Sequence, residues 1–339
     1  MNEKILNETA IAMVAPGRGI LAADESTGTI GKRFDSIQVS NEEENRRAYR
    51  EMLFTTQGME EFISGVILFE ETLYQKTQDG TPFSKLLNDK GAIPGIKVDK
   101  GAKPLAGAAG ETVTEGLDGL RERLVKYGEA GARFAKWRAV ITIGEGIPSD
   151  YCIHANAHAL ARYAALCQEN NIVPIVEPEV LMDADNTIAV CEEVTKNTLQ
   201  AVFDELYKQR VVLEGMILKP NMVISGKQCA TQAGVDEVAA ATLRVLKQHV
   251  PSAVPGIAFL SGGQSDELAT AHLNSMNEQG GGPWNLTFSY GRALQAAALK
   301  AWSGKNENVA AGQRAFYHRA KMNGLASLAK YSDGLESAA

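Results

Sequence analysis

Short apolar segments recur along the chain at intervals of roughly 30–45 residues, and each is followed by a segment with helical periodicity. The eight candidate strands lie within 17–28 and at 65–70, 94–99, 134–142, 173–177, 215–219, 256–261 and 286–290. Repeats of strand and helix favour a parallel sheet covered by helices. Eight repeats without a break in composition predict a closed (β/α)8 TIM barrel of the α/β class, with an open doubly wound sheet as the alternative.

The connecting helices are predicted from apolar residues at helical spacing, at 45–56, 153–170, 185–209, 236–249, 266–278 and 291–303. A helix at 2–14 is expected to cap one end of the fold. A final helix at 306–330 precedes a small, polar tail, 332–339, which we expect to be mobile because it has little apolar surface to pack. We therefore predict one domain over residues 1–339, with the barrel at 18–303 and the C-terminal helix and tail at 304–339.

The composition narrows the possible partners. The chain has 339 residues, of which 45% are hydrophobic, enough for one large core. A net charge of −7 argues against nucleic acid or a membrane surface as partner, because both repel an acidic protein. Four cysteines without a CxxC pair indicate thiols in a reducing compartment. The N-terminus lacks a signal-peptide pattern and no apolar run is long enough to span a bilayer, so we expect a cytoplasmic protein.

One segment, 211–221, places a lysine at the end of a buried strand. Its aliphatic and β-branched residues indicate a strand that is covered on both faces, and Pro220 must end that strand at about Lys219. Removal of water from the lysine favours its neutral form, and a neutral amine can attack a carbonyl to form a Schiff base. The alternative is a lysine whose ammonium reaches out from the strand end into water.

Polar side chains also end most of the other predicted strands. Since a (β/α)8 barrel gathers the carboxyl ends of its strands at one face, these side chains are expected to converge there. They are Asp24, Lys97, Lys136 with Arg138, Glu177 with Glu179, Ser261 and Arg292. A basic cluster within an acidic protein predicts a phosphorylated substrate.

Two of these strands alternate so that their charged residues share a face. Lys136 and Arg138 lie on one face of their strand, and if it faces the barrel interior, Lys136 stands beside Lys219 and favours the neutral amine there. Glu177 and Glu179 share a face of the next strand and could neutralise these lysines or carry protons. The alternatives are a surface-facing basic strand and a structural ion pair.

Two glycine-containing loops are candidates for anion binding. Residues 259–265 run from a strand through Ser261, Gly262 and Gly263 into a helix, so backbone N–H groups and the helix dipole can contact an anion. Residues 289–292 repeat this arrangement, with Arg292 as a bidentate donor. The loops after the seventh and eighth strands are those with which (β/α)8 enzymes often hold phosphate.

The signals for other chemistry are weaker. His154 and His158 lie one helical turn apart and could form half of a zinc site, but no third ligand converges and a pair on a helix surface is favoured. No Walker pattern and no strand-linked GxGxxG is present, and the glycines at 280–282 indicate a turn.

Seven motifs occur together in one order, at 20–26, 95–100, 134–138, 176–179, 218–221, 259–265 and 288–295. In this order they resemble those of class I fructose-bisphosphate aldolases, and the resemblance extends from about Ile11 to about Lys330. It implies a metal-independent lyase without a cofactor, which cleaves fructose 1,6-bisphosphate reversibly in glycolysis and gluconeogenesis. It also implies a homotetramer. A non-catalytic scaffold or binding protein on the same barrel is the alternative, and a secondary cytoskeletal scaffold role is compatible with either.

The resemblance implies a role for each candidate residue. Lys219 would form the imine, Glu177 would shuttle protons, Lys136 would assist imine formation and Asp24 would help C3–C4 cleavage, with Glu179 as a further catalytic candidate. The C1 phosphate would be held by Ser261, Gly262, Gly263, Ser289, Gly291 and Arg292. The C6 phosphate would lie near Ser26, Thr29, Arg33 and Lys97, with Arg46 and Arg138 as further binding positions. Many family members end in a tyrosine that assists proton exchange, whereas here Tyr331 precedes the tail.

Overall fold

The computed structural model describes residues 1–337, and its centre is a closed barrel of eight parallel strands. The strands are β1 Gly19–Ala23, β2 Ile63–Leu68, β3 Ile93–Lys97, β4 Phe134–Ile141, β5 Val173–Val180, β6 Ile217–Leu218, β7 Gly256–Phe259 and β8 Asn285–Tyr290. Each strand pairs with its neighbours in chain order, and β8 closes the ring by pairing Ser289 with Ile20 of β1. The predicted barrel is confirmed, and the open sheet is excluded.

Helices alternate with the strands around the barrel, and the first of them closes its lower end. They are α1 Glu3–Met13, α2 Thr27–Asp35, α3 Glu43–Phe54, α4 Glu70–Tyr74, α5 Phe83–Asp89, α6 Leu120–Glu129, α7 Asp150–Glu169, α8 Ile188–Lys208, α9 Val235–His249, α10 Asp266–Glu278, α11 Arg292–Trp302 and α12 Val309–Ala326. Short 3-10 turns lie at Met59–Glu61, Leu213–Gly215, Asn306–Asn308 and Asp333–Leu335. No helix within residues 1–337 is long and apolar enough to cross a bilayer.

Four helices and one hairpin are additions to the sequence prediction. The helices α2, α4, α5 and α6 contain between 5 and 10 residues each, which leaves few turns in which an apolar face can repeat. The hairpin pairs Ala102–Pro104 with Thr112–Thr114 in antiparallel register. These short elements lie in the first half of the barrel, where the predicted strands are separated by loops with weak periodicity.

The barrel interior is an apolar cluster that is closed at its lower end by α1. Strand residues that point inward form this cluster, namely Ile20, Ala22, Ile67, Phe134, Val173, Ile175, Ile217 and Ala258. Leu6, Ala10, Met13 and Val14 pack against it from α1 and the residue that follows it. The predicted N-terminal cap is therefore confirmed.

The C-terminal segment packs more than the sequence indicates. Leu335 contacts the core, and the Glu336 carboxylate accepts hydrogen bonds from Arg319 and from the Tyr331 hydroxyl, the latter at 3.0 Å. The expectation of a tail without packing is thus wrong at Leu335 and Glu336, because ion pairing at Glu336 replaces the apolar surface that the tail lacks. Residues 338–339 lie outside the described residues, and mobility of the tail stays a prediction.

Phe134 fills the barrel at a level where two neighbouring strands carry glycine. A Cβ atom on Gly95 would lie 2.2 Å from the Phe134 ring, and one on Gly65 would lie 3.0 Å from it. Real Cβ atoms do not approach another atom to 2.2 Å, so Gly95 leaves the space that the ring of Phe134 occupies.

We expect Gly95→Ala to lower the free energy of unfolding by at least about 1–3 kcal/mol, because the added methyl overpacks this layer. Adding Phe134→Leu should recover part of the loss, since it removes ring atoms from the contact. Melting temperatures measure both effects. Gly28→Ala is the matched control, because no atom lies within 4 Å of its Cβ position. Equal melting temperatures for wild type and Gly95→Ala would contradict the packing described.

Candidate active site

A cavity of about 430 Å³ opens at the carboxyl ends of the strands. It is lined by fifteen of the seventeen residues that the sequence analysis proposes for the site: Asp24, Ser26, Thr29, Arg33, Lys97, Lys136, Arg138, Glu177, Glu179, Lys219, Ser261, Gly262, Ser289, Gly291 and Arg292. The other two, Arg46 and Gly263, are not among its lining residues. The convergence predicted from the strand ends is therefore present.

Lys219 is held at the bottom of this cavity by a very short strand. Only Ile217 and Leu218 form β6, and the ladder continues through one further hydrogen bond, from the Lys219 N–H to the Val176 carbonyl at 2.8 Å. Pro220 cannot donate and ends the strand as predicted. The Asn221 side chain then accepts a hydrogen bond from the Val180 N–H at 3.0 Å, which ties the exit of β6 to the end of β5. Lys219 is 4% exposed.

Four charged side chains form a continuous row across the cavity floor. Asp24 Oδ2 lies 2.7 Å from Lys136 Nζ, Lys136 Nζ lies 3.4 Å from Glu177 Oε2, and Glu177 Oε1 lies 3.1 Å from Lys219 Nζ. Negative and positive groups alternate along the row. The predicted arrangement, in which Lys136 stands directly beside Lys219 and repels it, is wrong, because the Glu177 carboxylate lies between the two lysines and contacts both.

The row fixes the charge state of its first two members. Burial alone would raise the pKa of Asp24, but Lys136 and Lys219 outweigh it and hold that pKa well below its usual range. Burial would lower the pKa of Lys136, but Asp24 and Glu177 outweigh it and raise that pKa well above its usual range. Asp24 is therefore a carboxylate and Lys136 an ammonium at neutral pH.

Arg292 differs from the other cations of the cavity in its partners. Five of the six lysines and arginines that line the cavity pair directly with a carboxylate, as Lys97–Asp99, Arg33–Glu25, Lys136–Asp24, Arg138–Glu179 and Lys219–Glu177. Within residues 1–337, Arg292 has no such partner, and it donates instead to the main-chain carbonyl of Gln264. A guanidinium with one neutral acceptor has donors left for an anionic ligand.

The loops around Arg292 leave space for such an anion. Ser289 is 1% exposed, lines the cavity, and its hydroxyl has no hydrogen-bond partner among the described residues. A Cβ on Gly291 would lie 3.3 Å from the Ala22 carbonyl and 3.6 Å from Arg33 Nη2, so the backbone approaches β1 closely here. Gly262 lies in the neighbouring loop, after β7, and also lines the cavity. Backbone N–H groups, a free hydroxyl and a guanidinium together suit a phosphate group.

Comparison with known proteins identifies relatives over almost the whole chain. The family model described as glycolytic fructose-bisphosphate aldolase class-I matches residues 5–339. A probable fructose-bisphosphate aldolase class 1 of Xanthomonas campestris is 63% identical over 98% of this chain and 99% of its own length. The chain belongs to the class I fructose-bisphosphate aldolases. Cytosolic fructose-bisphosphate aldolase 4 of Arabidopsis thaliana is 58% identical over 93% of this chain and 81% of its own.

A solved structure agrees with this membership. The fructose-bisphosphate aldolase of Plasmodium falciparum, solved in complex with TRAP and a small-molecule inhibitor, gives a TM-score of 0.97 at 52% identity and covers 98% of this chain and 96% of that one. As an aldolase the chain is a lyase of glycolysis, so the interpretation as an enzyme is confirmed.

Two residues that the aldolase resemblance suggests lie away from the cavity. Arg46 forms a bidentate ion pair with Glu71, with N–O distances of 2.8 and 2.7 Å, so its guanidinium is occupied at the start of α3. Gly263 has φ +80°, and a Cβ there would lie 2.2 Å from Met182, so its role is to turn the loop behind the cavity. Neither residue lines the cavity, and a role in phosphate binding for Arg46 and Gly263 stays a prediction.

Glu25 is a cavity residue that the sequence analysis does not identify. It is 7% exposed, it pairs with Arg33, and its Oε2 accepts from Arg50 Nη2 at 2.8 Å. Gln295 Nε2 donates to Glu25 Oε1 at 2.9 Å. In the sequence, only its position next to Asp24 indicates that Glu25 belongs to the site. Its partners lie on α2, α3 and α11 and become its neighbours only in the fold.

The remaining sequence candidates lie outside the site. His154 and His158 are 65% and 51% exposed on α7, where His158 Nδ1 lies 3.0 Å from Glu205 Oε2, so the helix-surface pair is confirmed. No three His, Cys, Asp or Glu side chains within the described range are arranged to hold a metal ion. Tyr331 is 6% exposed and donates to Glu336, and it does not line the cavity.

We expect Lys136→Met to lower the free energy of unfolding by about 3–5 kcal/mol at pH 7, because it leaves Asp24 buried without its nearest cation. In wild type the pKa of Asp24 is depressed, so its stabilising contribution is present above its ordinary pKa and is lost as the pH falls. In the variant the pKa of Asp24 rises. The stability gap, meaning the difference in the free energy of unfolding between wild type and variant, should therefore be larger at pH 7 than at pH 4.5. Melting temperatures at both values measure it.

Lys97→Met is the matched control, because the Lys97–Asp99 pair is closer to solvent and Lys97 keeps 18% of its side chain exposed. We expect a smaller gap for this variant. A Lys136→Met gap of the same size at both pH values would contradict the pairing with Asp24.

Proposed function

We propose that Lys219 forms a Schiff base with the C2 ketone of fructose 1,6-bisphosphate and that the chain cleaves this sugar reversibly into dihydroxyacetone phosphate and glyceraldehyde 3-phosphate. The observation that carries the proposal is the 3.1 Å contact between Lys219 Nζ and Glu177 Oε1 at a buried cavity floor. There a carboxylate adjoins the amine that must lose a proton before it can attack.

Glu177 acts as the proton shuttle for imine formation. Its carboxylate takes a proton from the Lys219 ammonium, and the free amine adds to the ketone to give a carbinolamine. Glu177 then returns a proton to the carbinolamine hydroxyl, which leaves as water when the C–N double bond forms. Lys136, which stays protonated beside Glu177, stabilises the carboxylate form of Glu177 before the first transfer and after the second.

The iminium provides the driving force for carbon–carbon cleavage. As the C3–C4 bond breaks, its electron pair moves toward the positive nitrogen and leaves an enamine on Lys219, so no metal or cofactor is needed to hold the charge. The C4 hydroxyl loses its proton to become the aldehyde. Asp24 assists as an ionised carboxylate that accepts this proton, and Lys136 keeps that carboxylate in place.

The two phosphate groups lie at opposite ends of the sugar and bind to two different parts of the cavity. Ser261, Gly262, Ser289, Gly291 and Arg292 hold the C1 phosphate, and the Arg292 guanidinium, which among the described cavity residues has no carboxylate partner, supports this role most directly. The C6 phosphate lies near Ser26, Thr29, Arg33 and Lys97. Arg33 lies close to Gly291 as well, so it is positioned between the two phosphate sites. Glu179 acts on Arg138, with which it pairs, and holds that guanidinium at the cavity wall.

We also propose a homotetramer and a cytosolic location, as the family resemblance implies. The Arabidopsis thaliana relative is named as cytosolic, which supports the location. Light scattering after size-exclusion chromatography is expected to give the mass of four chains, and a stable mass of one chain would contradict the proposal. A secondary scaffold role on the cytoskeleton, also implied by the resemblance, stays a prediction.

Borohydride reduction tests the Schiff base. Treatment of the enzyme with dihydroxyacetone phosphate and borohydride should convert the imine into a stable secondary amine, and peptide mass spectrometry should find the added triose phosphate on Lys219. Activity should fall in proportion to labelling. Lys219→Met should take up no label.

Lys97→Met is the control variant, because Lys97 lines the cavity but lies in another ion pair. It should still be labelled at Lys219. Label on Lys136 or Lys97 in wild type, or no label on any lysine, would refute the assignment.

A further inference from the structure

Gln264 connects the Arg292 side chain to the interior of the protein. It follows Ser261, Gly262 and Gly263 in the loop after β7 and is 5% exposed. Its main-chain carbonyl accepts a hydrogen bond from Arg292, and its main-chain N–H donates to the Ser261 carbonyl at 3.4 Å. The position of this one residue therefore affects both the phosphate loop and the guanidinium that the mechanism assigns to the same phosphate.

His272 holds the Gln264 side chain from below. It lies on α10, is 2% exposed, and its Nδ1 is 2.6 Å from Gln264 Oε1. With the amide oriented in this way the oxygen can only accept, so the proton is on Nδ1. Burial lowers the pKa of His272 to about 4, so the ring is neutral near pH 7. His272 Nε2 has no hydrogen-bond partner among the described residues, so Gln264 is the polar contact that the ring makes.

We propose that Gln264 and His272 are positioning residues that hold Arg292 and the adjacent loop in the geometry that binds the C1 phosphate. The pair lies behind the cavity, and neither residue is among its lining residues. Loss of the pair is expected to weaken binding of the phosphate end of the substrate and to leave the steps at Lys219 unaffected. The inference rests on the proposed role of Arg292, and the experiment separates the two.

The test measures kcat and KM for fructose 1,6-bisphosphate and for fructose 1-phosphate, which carries the C1 phosphate alone. His272→Leu removes the donor but keeps an apolar side chain of similar bulk, and it should raise KM about tenfold for both substrates, the effect of one neutral hydrogen bond. Its kcat should change less than about twofold. His272→Asn can still donate to Gln264 Oε1 and should bring KM back to within about threefold of wild type.

Gln264→Met is the second variant, and it tests the positioning role of the pair if His272→Leu does not fold. It removes the amide but keeps the main-chain carbonyl, and it should raise KM as much as His272→Leu does. The double variant should be no worse than either single variant, because both act through the same hydrogen bond.

Ser275→Ala is the matched control. It removes a partly buried hydrogen bond of 2.9 Å from α10 to Asp236, away from the phosphate loop, and should lower the melting temperature without changing KM. Unchanged KM in both His272→Leu and Gln264→Met would overturn the inference. If instead Arg292→Gln leaves KM for both substrates unchanged, the proposed phosphate site itself is wrong. A raised KM in Arg292→Gln with no change in the other two variants would refute only the positioning role.

Discussion

The structure of the site depends on the alternation of negative and positive side chains along the buried floor of the cavity. Asp24, Lys136, Glu177 and Lys219 each come from a different strand, and each would be costly to bury alone. Placed in a row with contacts of 2.7, 3.4 and 3.1 Å, each charge lies next to one of opposite sign. The barrel makes this possible, because it brings strand ends that are up to about two hundred residues apart in sequence to one floor.

The same row links stability to chemistry. A carboxylate between two lysines is stable only while at least one of them is charged, and Lys136 stays charged because Asp24 is beside it. Glu177 can therefore exchange a proton with Lys219 while its other oxygen remains next to a fixed ammonium. In the proposed mechanism Asp24 and Lys136 act in this way as an electrostatic support, whereas Glu177 and Lys219 are the members whose protons would move.

Most of the fold and most of the candidate site can be predicted from local patterns in the sequence. All eight barrel strands and the long helices follow from periodicity, and the site follows from the residues at strand ends, because a parallel barrel collects those ends. Contacts between distant segments are not accessible in this way. Glu25 is fixed by arginines on two other helices, Arg46 is occupied by Glu71, and the tail is held by Glu336 through Arg319. In each case an ion pair across the fold decides the outcome, and no local pattern encodes the pairing.

The helix α1, which closes the lower end of the barrel, affects how ligands and water enter and leave at the upper end. Inward-facing strand residues and α1 form an apolar cluster in the described barrel interior. In the proposed mechanism, the water released when the imine forms would leave through the opening that admits the sugar, and the water that hydrolyses the product imine would enter by the same opening. In that mechanism the aldehyde product would have to leave this opening before water could reach the remaining imine and release the second product.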